Sequence, residues 1–347
     1  MPLPQPRGPL SRWVVDTLTQ AEGSLDGQAP VPDLDDVHNM VDVLGDDDVQ
    51  LALWTLYELH YGGFEQVDEA LEWDPTLITV RRAVERRMET ALREQTTDVV
   101  DAALARSTDA AEAIFSLCAG DDAPGVVAHV HRSGDREQLL ELLRHRSVYQ
   151  LKEADPHTWL LPRLDGRAKT ALLQIQYDEY GSARPEAVHQ TLFARTLAAC
   201  GLDPAYGAYV DHVPGSTLAV SNLASMLTLQ RRLRAAGAGH LAAVEATSSL
   251  PSRKMSAAMT RLGYGEEATR FFDEHVEADS VHEQLAAREL CGALVRQHPA
   301  LLRDVVFGAA ACLLVEGRFA RGVLSAWEAG DSSLRTDAAT VDAGATA

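Results

Sequence analysis

The sequence predicts an all-helical protein, and three observations support this prediction. Hydrophobic residues make up 46% of the 347 residues, which is enough for a sizeable core. Only 6% of the residues are aromatic, whereas Ala and Leu are abundant, and this balance favours helix over sheet. We find neither the period-two alternation of a strand nor an internal repeat. The sequence therefore indicates a helical bundle.

Apolar residues recur at helical spacing in successive segments. In the first segment, 48–61, Leu51, Trp54 and Leu59 lie near one face, and the long second segment alternates charged and apolar residues. Gly and Pro separate the later segments, with Pro251 and Pro299 among these breakers. The predicted helices are 48–61, 79–106, 110–118, 136–153, 167–180, 186–200, 219–248, 256–262, 266–297 and 301–326.

The two ends of the chain differ from this pattern. Residues 1–31 are rich in Pro, Gly and polar residues around the apolar patch of Trp13, Val14 and Val15. We predict an N-terminal arm over 1–47 that carries a short helix, and a helical domain over 48–328. Residues 329–347 are small and polar without periodicity, which predicts a disordered tail.

Charge and cysteine usage limit the possible functions. The formal net charge of -20 argues against binding to nucleic acid or to an anionic membrane surface. The N-terminus lacks the apolar core of a signal peptide, and no apolar run is long enough to span a bilayer. The four cysteines are Cys118, Cys200, Cys291 and Cys312. They lie far apart without a Cys-x-x-Cys pair, which argues against a disulfide framework or a zinc ribbon. We expect reduced thiols and a cytoplasmic protein.

The most informative stretch is FFDEHVEADSVHEQLAA, residues 271–287. His275, Asp279 and His282 are spaced so that on a helix they line one face over two turns. Imidazole and carboxylate groups on one stripe suit a divalent iron ion. A charged surface helix with two incidental histidines is the alternative. The helix also has an apolar side close to the stripe, and burial of these polar groups would require a partner or a metal.

Further ligands must come from other segments, and three offer them. Glu179 ends one predicted helix and His189 lies inside the next, with a bend between them. Glu245 lies in the small and apolar run 241–246, where a carboxylate has no evident structural purpose. Glu153 closes a predicted helix just before a proline, and a solvated acid at a helix end explains it equally well.

The ordered set of these residues resembles the ligand set of the heme-oxygenase-like di-iron oxidases. The phrases YELHYGGF, DEYGSARPEAVH, EATSS and FFDEHVEADSVHEQ are similar to those of actinobacterial members, and the resemblance covers roughly residues 48–316. It implies a heme-oxygenase-like bundle of seven helices that holds two irons in place of haem. The implied ligands are Glu153, Glu179, His189 and His282 for one iron, and Glu245, His275 and Asp279 for the other.

The resemblance also implies a reaction. A di-iron(II) form would bind dioxygen, and a peroxo-bridged di-iron(III) species would oxidise a small organic substrate by N-oxygenation, desaturation or carbon–carbon cleavage. No flavin or ferredoxin motif is present, so an external electron donor is expected. A homodimer is plausible from the resemblance and from the frequency of symmetric oligomers.

The sequence leaves other interpretations of the metal site and of the function open. Glu186 and His189 form a Glu-x-x-His pair of the ferritin-like kind, although its second copy is missing. Glu58 and His60 point to different sides of a helix, so a role in packing or substrate access fits them better than shared metal binding. A helical binding or regulatory module without catalysis is a further alternative. A haem-degrading or thiaminase-like enzyme, with His38 or His60 as the haem ligand, is another.

Overall fold

The computed structural model describes residues 1–20, 32 and 34–335, and of residues 277–280 it describes the backbone only. These residues form helices and connecting turns, and no β-strand occurs among them. The helices are α1 Pro9–Thr19, α2 Asp35–Asn39, α3 Asp47–Glu58, α4 Pro75–Arg106, α5 Ala110–Gly120, α6 Val126–Arg132, α7 Arg136–Gln150, α8 Asp155–Thr158, α9 Gly166–Glu179, α10 His189–Ala199, α11 Gly215–Leu229, α12 Arg234–Arg261, α13 Glu266–Gln284, α14 Gly292–Gln297 and α15 Leu302–Ala329. The predicted all-helical class is confirmed.

Aspartates begin many of these helices. The Asp46 carboxylate accepts a hydrogen bond from a backbone N–H in the first turn of α3, and Asp74 accepts two at the start of α4. Asp109 and Asp135 do the same for α5 and α7. Such caps satisfy N–H groups that have no partner inside the helix, and a negative charge suits this end of the helix dipole. Part of the acidic composition is therefore used to start helices.

Several predicted boundaries were wrong, each for a local reason. The predicted helix 219–248 is two helices, because a 3₁₀ turn at Arg231–Leu233 separates α11 from α12. Pro251, expected to end a helix, lies inside α12, and buried residues on both sides of it continue the helix. The predicted helix 266–297 contains a π-helix at Leu285–Cys291 between α13 and α14. The short helices α2, α6 and α8 were not predicted.

Two helices lie at the centre of the bundle. Every residue of α11 over 217–228 is buried, and so is every residue of α12 over 235–243. Such all-round burial identifies core helices rather than amphipathic surface helices. Helices α3, α7 and α15 pack around α11, while α6, α13 and α15 pack around α12. The middle of α12 and the facing side of α13 carry three of the functional side chains described below.

Both described ends of the chain lie against this bundle. Backbone N–H groups at the start of α1 donate to Asp48, and α1 packs on α3. After α15, Ser332 and Ser333 donate hydrogen bonds to the buried carboxylate of Glu141, and Arg335 contacts Asp47. The rest of the predicted tail, 336–347, lies outside the described residues, as do 21–31 and 33 of the predicted arm. No helix of the described segments is both long and apolar enough to cross a membrane.

Helices α12 and α15 approach so closely that only glycine fits at two contacts. A Cβ atom on Gly239 would lie 1.9 Å from the carbonyl oxygen of Val305, and one on Gly308 would lie 1.9 Å from that of Ala236. Both neighbours are backbone atoms, so relief would require the helices to separate. The contact holds α12 in place along its buried half.

We expect Gly239→Ala and Gly308→Ala each to lower the free energy of unfolding by about 1–3 kcal/mol or more, because the new methyl group overpacks the contact. Gly322→Ala in α15 is the matched control, since the nearest atom to its Cβ would be 3.9 Å away. This control should be neutral or stabilising by up to about 1 kcal/mol through helix propensity. Chemical denaturation measures all three, and a Gly239 variant as stable as the control would contradict the close contact.

Candidate metal centre

Ionisable side chains from five parts of the chain converge inside the bundle. Glu179 is the last residue of α9, His189 is the first of α10, and Glu245 lies in the middle of α12. His275 and His282 lie two turns apart on α13. Glu153 was predicted to close α7, but that helix ends at Gln150, so Glu153 lies in the following turn. All are buried except Glu153, which is mostly covered.

The converging side chains form two groups that could each hold a metal ion. The first group consists of Glu153, Glu179, His189 and His275. Each residue contributes one ligand atom, and these atoms all lie within 4.8 Å of one another. The second group meets the same limit and consists of Glu179, Glu245 and His282. The structure thus brings together all of the predicted ligands whose side chains it describes. The side chain of Asp279 lies outside the described ones, although its position on α13 is between the two histidines.

Glu179 belongs to both groups, and its two oxygens face different histidines. Oε2 lies 2.8 Å from Nδ1 of His189 in the first group. Oε1 lies 3.7 Å from Nδ1 of His282 in the second. A carboxylate so placed can bridge two metal ions, one on each oxygen. Glu179 is therefore the side chain that the two groups share.

The pairing of histidines with carboxylates differs from the one implied by resemblance. Nε2 of His275 lies 3.5 Å from Oε1 of Glu153, whereas Nδ1 of His282 lies 3.6 Å from Oε2 of Glu245. The implied allocation had placed His282 beside Glu153 and His275 beside Glu245. Two turns of α13 separate the histidines, so the course of this helix across α12 decides which carboxylate each one meets.

Three atoms of the site have no hydrogen-bond partner among the described residues although they are buried. They are Oε1 of Glu153, Nδ1 of His189 and Nδ1 of His282. The His189 nitrogen lies close to Glu179 but without the alignment of a hydrogen bond. Buried polar atoms are rarely left unsatisfied, because the loss of hydration is costly. Their common orientation towards the centre of each group fits a metal ion as the missing partner.

The remaining nitrogens of the α13 histidines are held by hydrogen bonds. His275 Nδ1–H donates to the backbone oxygen of Phe271 at 2.8 Å, which leaves Nε2 facing Glu153. His282 Nε2–H donates to Oδ2 of Asp178 at 3.1 Å, which leaves Nδ1 facing the second group. Such partners fix the tautomer and ring orientation of a ligand histidine. Asp178 was missed by sequence reasoning, because its neighbour Glu179 already accounted for an acid at the end of α9.

The charges of the site stabilise one another in the metal-free protein. Burial alone would lower the pKa of a histidine, but the neighbouring carboxylates raise that of His189 to about 11 and those of His275 and His282 to about 9. Burial likewise opposes ionisation of Glu153, yet the adjacent imidazoles lower its pKa to about 2. Protons therefore occupy these histidines until a cation displaces them, and metal binding is coupled to proton release.

A strained turn connects two of the candidate ligands, Glu179 and His189. Gly181, Ser182 and Ala183 all have positive φ angles of 72°, 51° and 63° between the end of α9 and the start of α10. A Cβ atom on Gly181 would lie 2.5 Å from the backbone nitrogen of Val188, so glycine is required there. Left-handed backbone costs about 1–2 kcal/mol at each non-glycine residue. The turn reverses the chain so that Glu179 and His189 meet.

A cavity of about 330 Å³ adjoins the first group. Its wall includes the candidate ligands Glu153, Glu179, Glu245 and His275. Apolar side chains from α6, α7, α11, α13 and α15 form much of the remainder: Val126, Leu142, Leu143, Val220, Leu223, Phe272 and Val315. A volume of this size suits a small organic molecule.

Two further histidines on the cavity wall were not identified from the sequence. Nε2 of His157 lies 3.1 Å from Nδ1 of His240, and both rings are buried. Burial lowers the pKa of His157 to about 3, with help from the adjacent ring, and that of His240 to about 4. Both therefore stay neutral near pH 7. They give the cavity a polar but uncharged wall, and no spacing in the sequence indicated this pair.

The alternative ligands proposed from the sequence lie elsewhere. Glu186 is exposed in a 3₁₀ turn before α10 and belongs to neither group, so the ferritin-like pair with His189 does not assemble. His38 is exposed. His60 contacts Glu72 and Arg81, which leaves no ring nitrogen for a haem iron.

Comparison with known proteins agrees with this geometry. The sequence model for iron-containing redox enzymes matches residues 140–317, a stretch that contains every proposed ligand. A nitrosourea synthase from Streptomyces achromogenes subsp. streptozoticus is 26% identical over 207 residues. The aligned region covers 59% of this chain and 44% of that enzyme, so the match spans less than half of the relative.

Removal of the Asp178 carboxylate should weaken metal binding, because His282 would lose the partner that orients its ring. We expect Asp178→Ala to raise the dissociation constant for Co²⁺ by about 10–100-fold, as is typical when such a partner is lost. Asp273→Ala is the matched control: Asp273 is an exposed acid on α13 that bonds Ser256 and Thr269. Visible absorption of bound Co²⁺ gives the affinity. Equal affinities in the two variants would contradict the role of Asp178.

Proposed function

The chain belongs to the family of iron-containing redox enzymes, and we propose that it is a non-haem di-iron oxidase that uses dioxygen to oxidise a small organic molecule. The observation that carries this proposal is the shared position of Glu179 between two groups of ligand atoms. Glu179 would be shared by the two metal ions held in these groups, and a pair of irons would supply the redox chemistry for dioxygen. A helical binding module would have no need of this arrangement.

The donor set supports iron as the metal. Imidazole nitrogen and carboxylate oxygen together suit a divalent iron ion, whereas zinc sites that serve structure favour thiolate ligands. We propose Asp279 as a further ligand, since its backbone position on α13 lies between His275 and His282. With Asp279, the carboxylates Glu153, Glu179 and Glu245 would balance the charge of two iron(II) ions. The irons would supply electrons and coordination positions for dioxygen.

The protein's own residues orient the metal ligands, hold the substrate and keep water away from the reacting atoms. Asp178 and the Phe271 carbonyl fix the two α13 histidines, so the ligand nitrogens point at the centre before metal arrives. The apolar walls of the adjacent cavity hold the substrate against the ligands and limit water at the reacting atoms. The neutral pair of His157 and His240 can exchange hydrogen bonds with a substrate without adding charge to the site. N-oxygenation, desaturation and carbon–carbon cleavage are the reactions that we propose for this cavity.

Electrons must also come from outside the chain. Reduction of dioxygen to water takes four electrons and a desaturation releases two from the substrate, so a donor would have to supply the difference. We propose a separate reductase or a small reductant, because the sequence carries no flavin or ferredoxin motif. The four cysteines are unpaired, which suits a reducing compartment, and we propose the cytoplasm. We also propose that the protein forms a homodimer.

Iron loading tests the di-iron centre directly. Apo protein loaded anaerobically with iron(II) and freed of excess metal should retain two irons per chain. Glu179→Ala should lose affinity for both, because both groups share that carboxylate. Glu186→Ala is the control, since Glu186 is exposed and outside the groups, and it should retain two irons. Colorimetric iron determination and protein quantitation give the ratios.

Exposure of the loaded protein to dioxygen completes the test. We expect a transient visible absorption in the wild type and in Glu186→Ala, and none in Glu179→Ala. Wild-type protein that retains no iron and shows no transient absorption would contradict the proposal and favour a binding or regulatory module. Equal iron retention in Glu179→Ala and wild type would contradict the bridging role of Glu179.

A further inference from the structure

A buried ion pair lies directly beside the metal ligand Glu153. Lys152 contacts Oε1 of Glu58, and their side chains are 3% and 0% exposed. The hydroxyl of Tyr206 donates a hydrogen bond to the same carboxylate oxygen at 2.8 Å. Glu58 is the last residue of α3, so this pair connects an N-terminal helix to the turn that carries Glu153.

The ammonium group of Lys152 is enclosed by aromatic rings as well. It lies 4.3 Å from the ring centroid of Tyr61 and 5.7 Å from that of Tyr206. The Tyr61 hydroxyl is in turn 3.0 Å from Oγ of Ser225 in the core helix α11. Cation–π contacts of this kind add to the attraction of the carboxylate when the cation is removed from water. Lys152 is thereby fixed from three sides.

The turn that carries Glu153 is held by hydrogen bonds on both sides of this residue. Helix α7 ends at Gln150 and α8 begins at Asp155, so Glu153 lies between two helices. Two backbone hydrogen bonds span this turn, from Lys152 N–H to the Tyr149 oxygen and from Asp155 N–H to the Lys152 oxygen, both 3.0 Å. Both involve Lys152. After Glu153, the Ala154 oxygen accepts a hydrogen bond from Gln176 Nε2–H at 2.7 Å, so Lys152 and Ala154 hold the turn on either side of the ligand.

Stability alone does not explain a pair of this kind. Removing two charges from water is expensive, and apolar residues of similar volume are often as stable or more stable in the same place. Neither Lys152 nor Glu58 lines the cavity of about 330 Å³, so neither is placed to touch a substrate there. What the pair does provide is a directional contact that fixes the adjacent backbone.

We propose that the Lys152–Glu58 ion pair positions Glu153 for metal binding. Lys152 and Glu58 are then positioning residues: they act on the first group of ligands through the backbone of the turn, without contacting the metal. This inference rests on the proposed function, because it takes Glu153 as an iron ligand. It also assigns a role to Glu58, for which packing or substrate access had been expected from the sequence.

The test compares single, double and control variants by iron affinity and by melting temperature. Lys152→Met removes the ammonium group and leaves Glu58 as an unpaired buried charge, so the apo protein should melt at a lower temperature. It should also bind one of its two irons at least about tenfold more weakly. Glu85→Gln is the matched control, since it breaks the buried pair with Arg81 (3.4 Å) away from the ligands. The control should lower the melting temperature and leave both iron affinities unchanged.

The double variant Glu58→Gln/Lys152→Met separates positioning from stability. It carries no unpaired charge, so its melting temperature should return towards that of the wild type, while one iron remains weakly bound. Competition with an iron(II) chelator gives the two affinities. If Lys152→Met fails to fold, the iron affinities of the double variant alone test the inference. A double variant that binds both irons with wild-type affinity would overturn the inference.

Mössbauer spectroscopy of the iron-loaded proteins identifies which iron is affected. The doublet weakened in the double variant should be the one lost in Glu153→Ala, and the doublet lost in His282→Ala should persist. Loss of the His282 doublet instead would overturn the inference. Wild-type protein without iron would contradict the proposed function and the inference together. Two irons in the wild type and two unchanged irons in the double variant would contradict the inference alone.

Discussion

The burial of several carboxylates around one point is the constraint on which the rest of this structure depends. Glu153, Glu179 and Glu245 would repel one another in a medium of low polarity, so each must face a positive group. Three histidines meet this need, and the raised pKa values of His189, His275 and His282 show how strongly the carboxylates favour the charged imidazoles. A pair of divalent cations can replace those protons. The same arrangement therefore serves the metal-free protein and the proposed di-iron form.

The scaffold fixes one side of this centre more firmly than the others. Helix α12, which carries Glu245, lies in the core and contacts α15 at Gly239 and Gly308 without intervening side chains. The remaining ligands lie at the ends of helices, in a turn and on α13. Those positions need separate supports: the left-handed turn after Glu179, the Asp178 contact to His282, and the proposed Lys152–Glu58 anchor.

The family match over 140–317 begins inside α7 and ends inside α15, so it covers the elements that carry ligands. The helices before it are nevertheless part of the same packing. Helix α1 packs on α3, and α3 ends with Glu58 beside the turn of Glu153. The N-terminal segment, predicted from composition as an arm, thus includes a helix whose Val14 and Leu18 are buried in the core. The buried pair of Lys152 and Glu58 thus connects α3 to the turn that carries the candidate ligand Glu153.

The sequence by itself determined the helical class and placed the candidate ligands His275, Asp279 and His282 on one helical face, because helical periodicity is a local property. Only the tertiary structure decided the contacts between segments that are distant in the chain. It paired His275 with Glu153, gave Glu179 to both groups, and brought Asp178 to His282. It also ended α7 before Glu153 and continued α12 through Pro251, since packing against neighbouring helices outweighs local propensity at such positions.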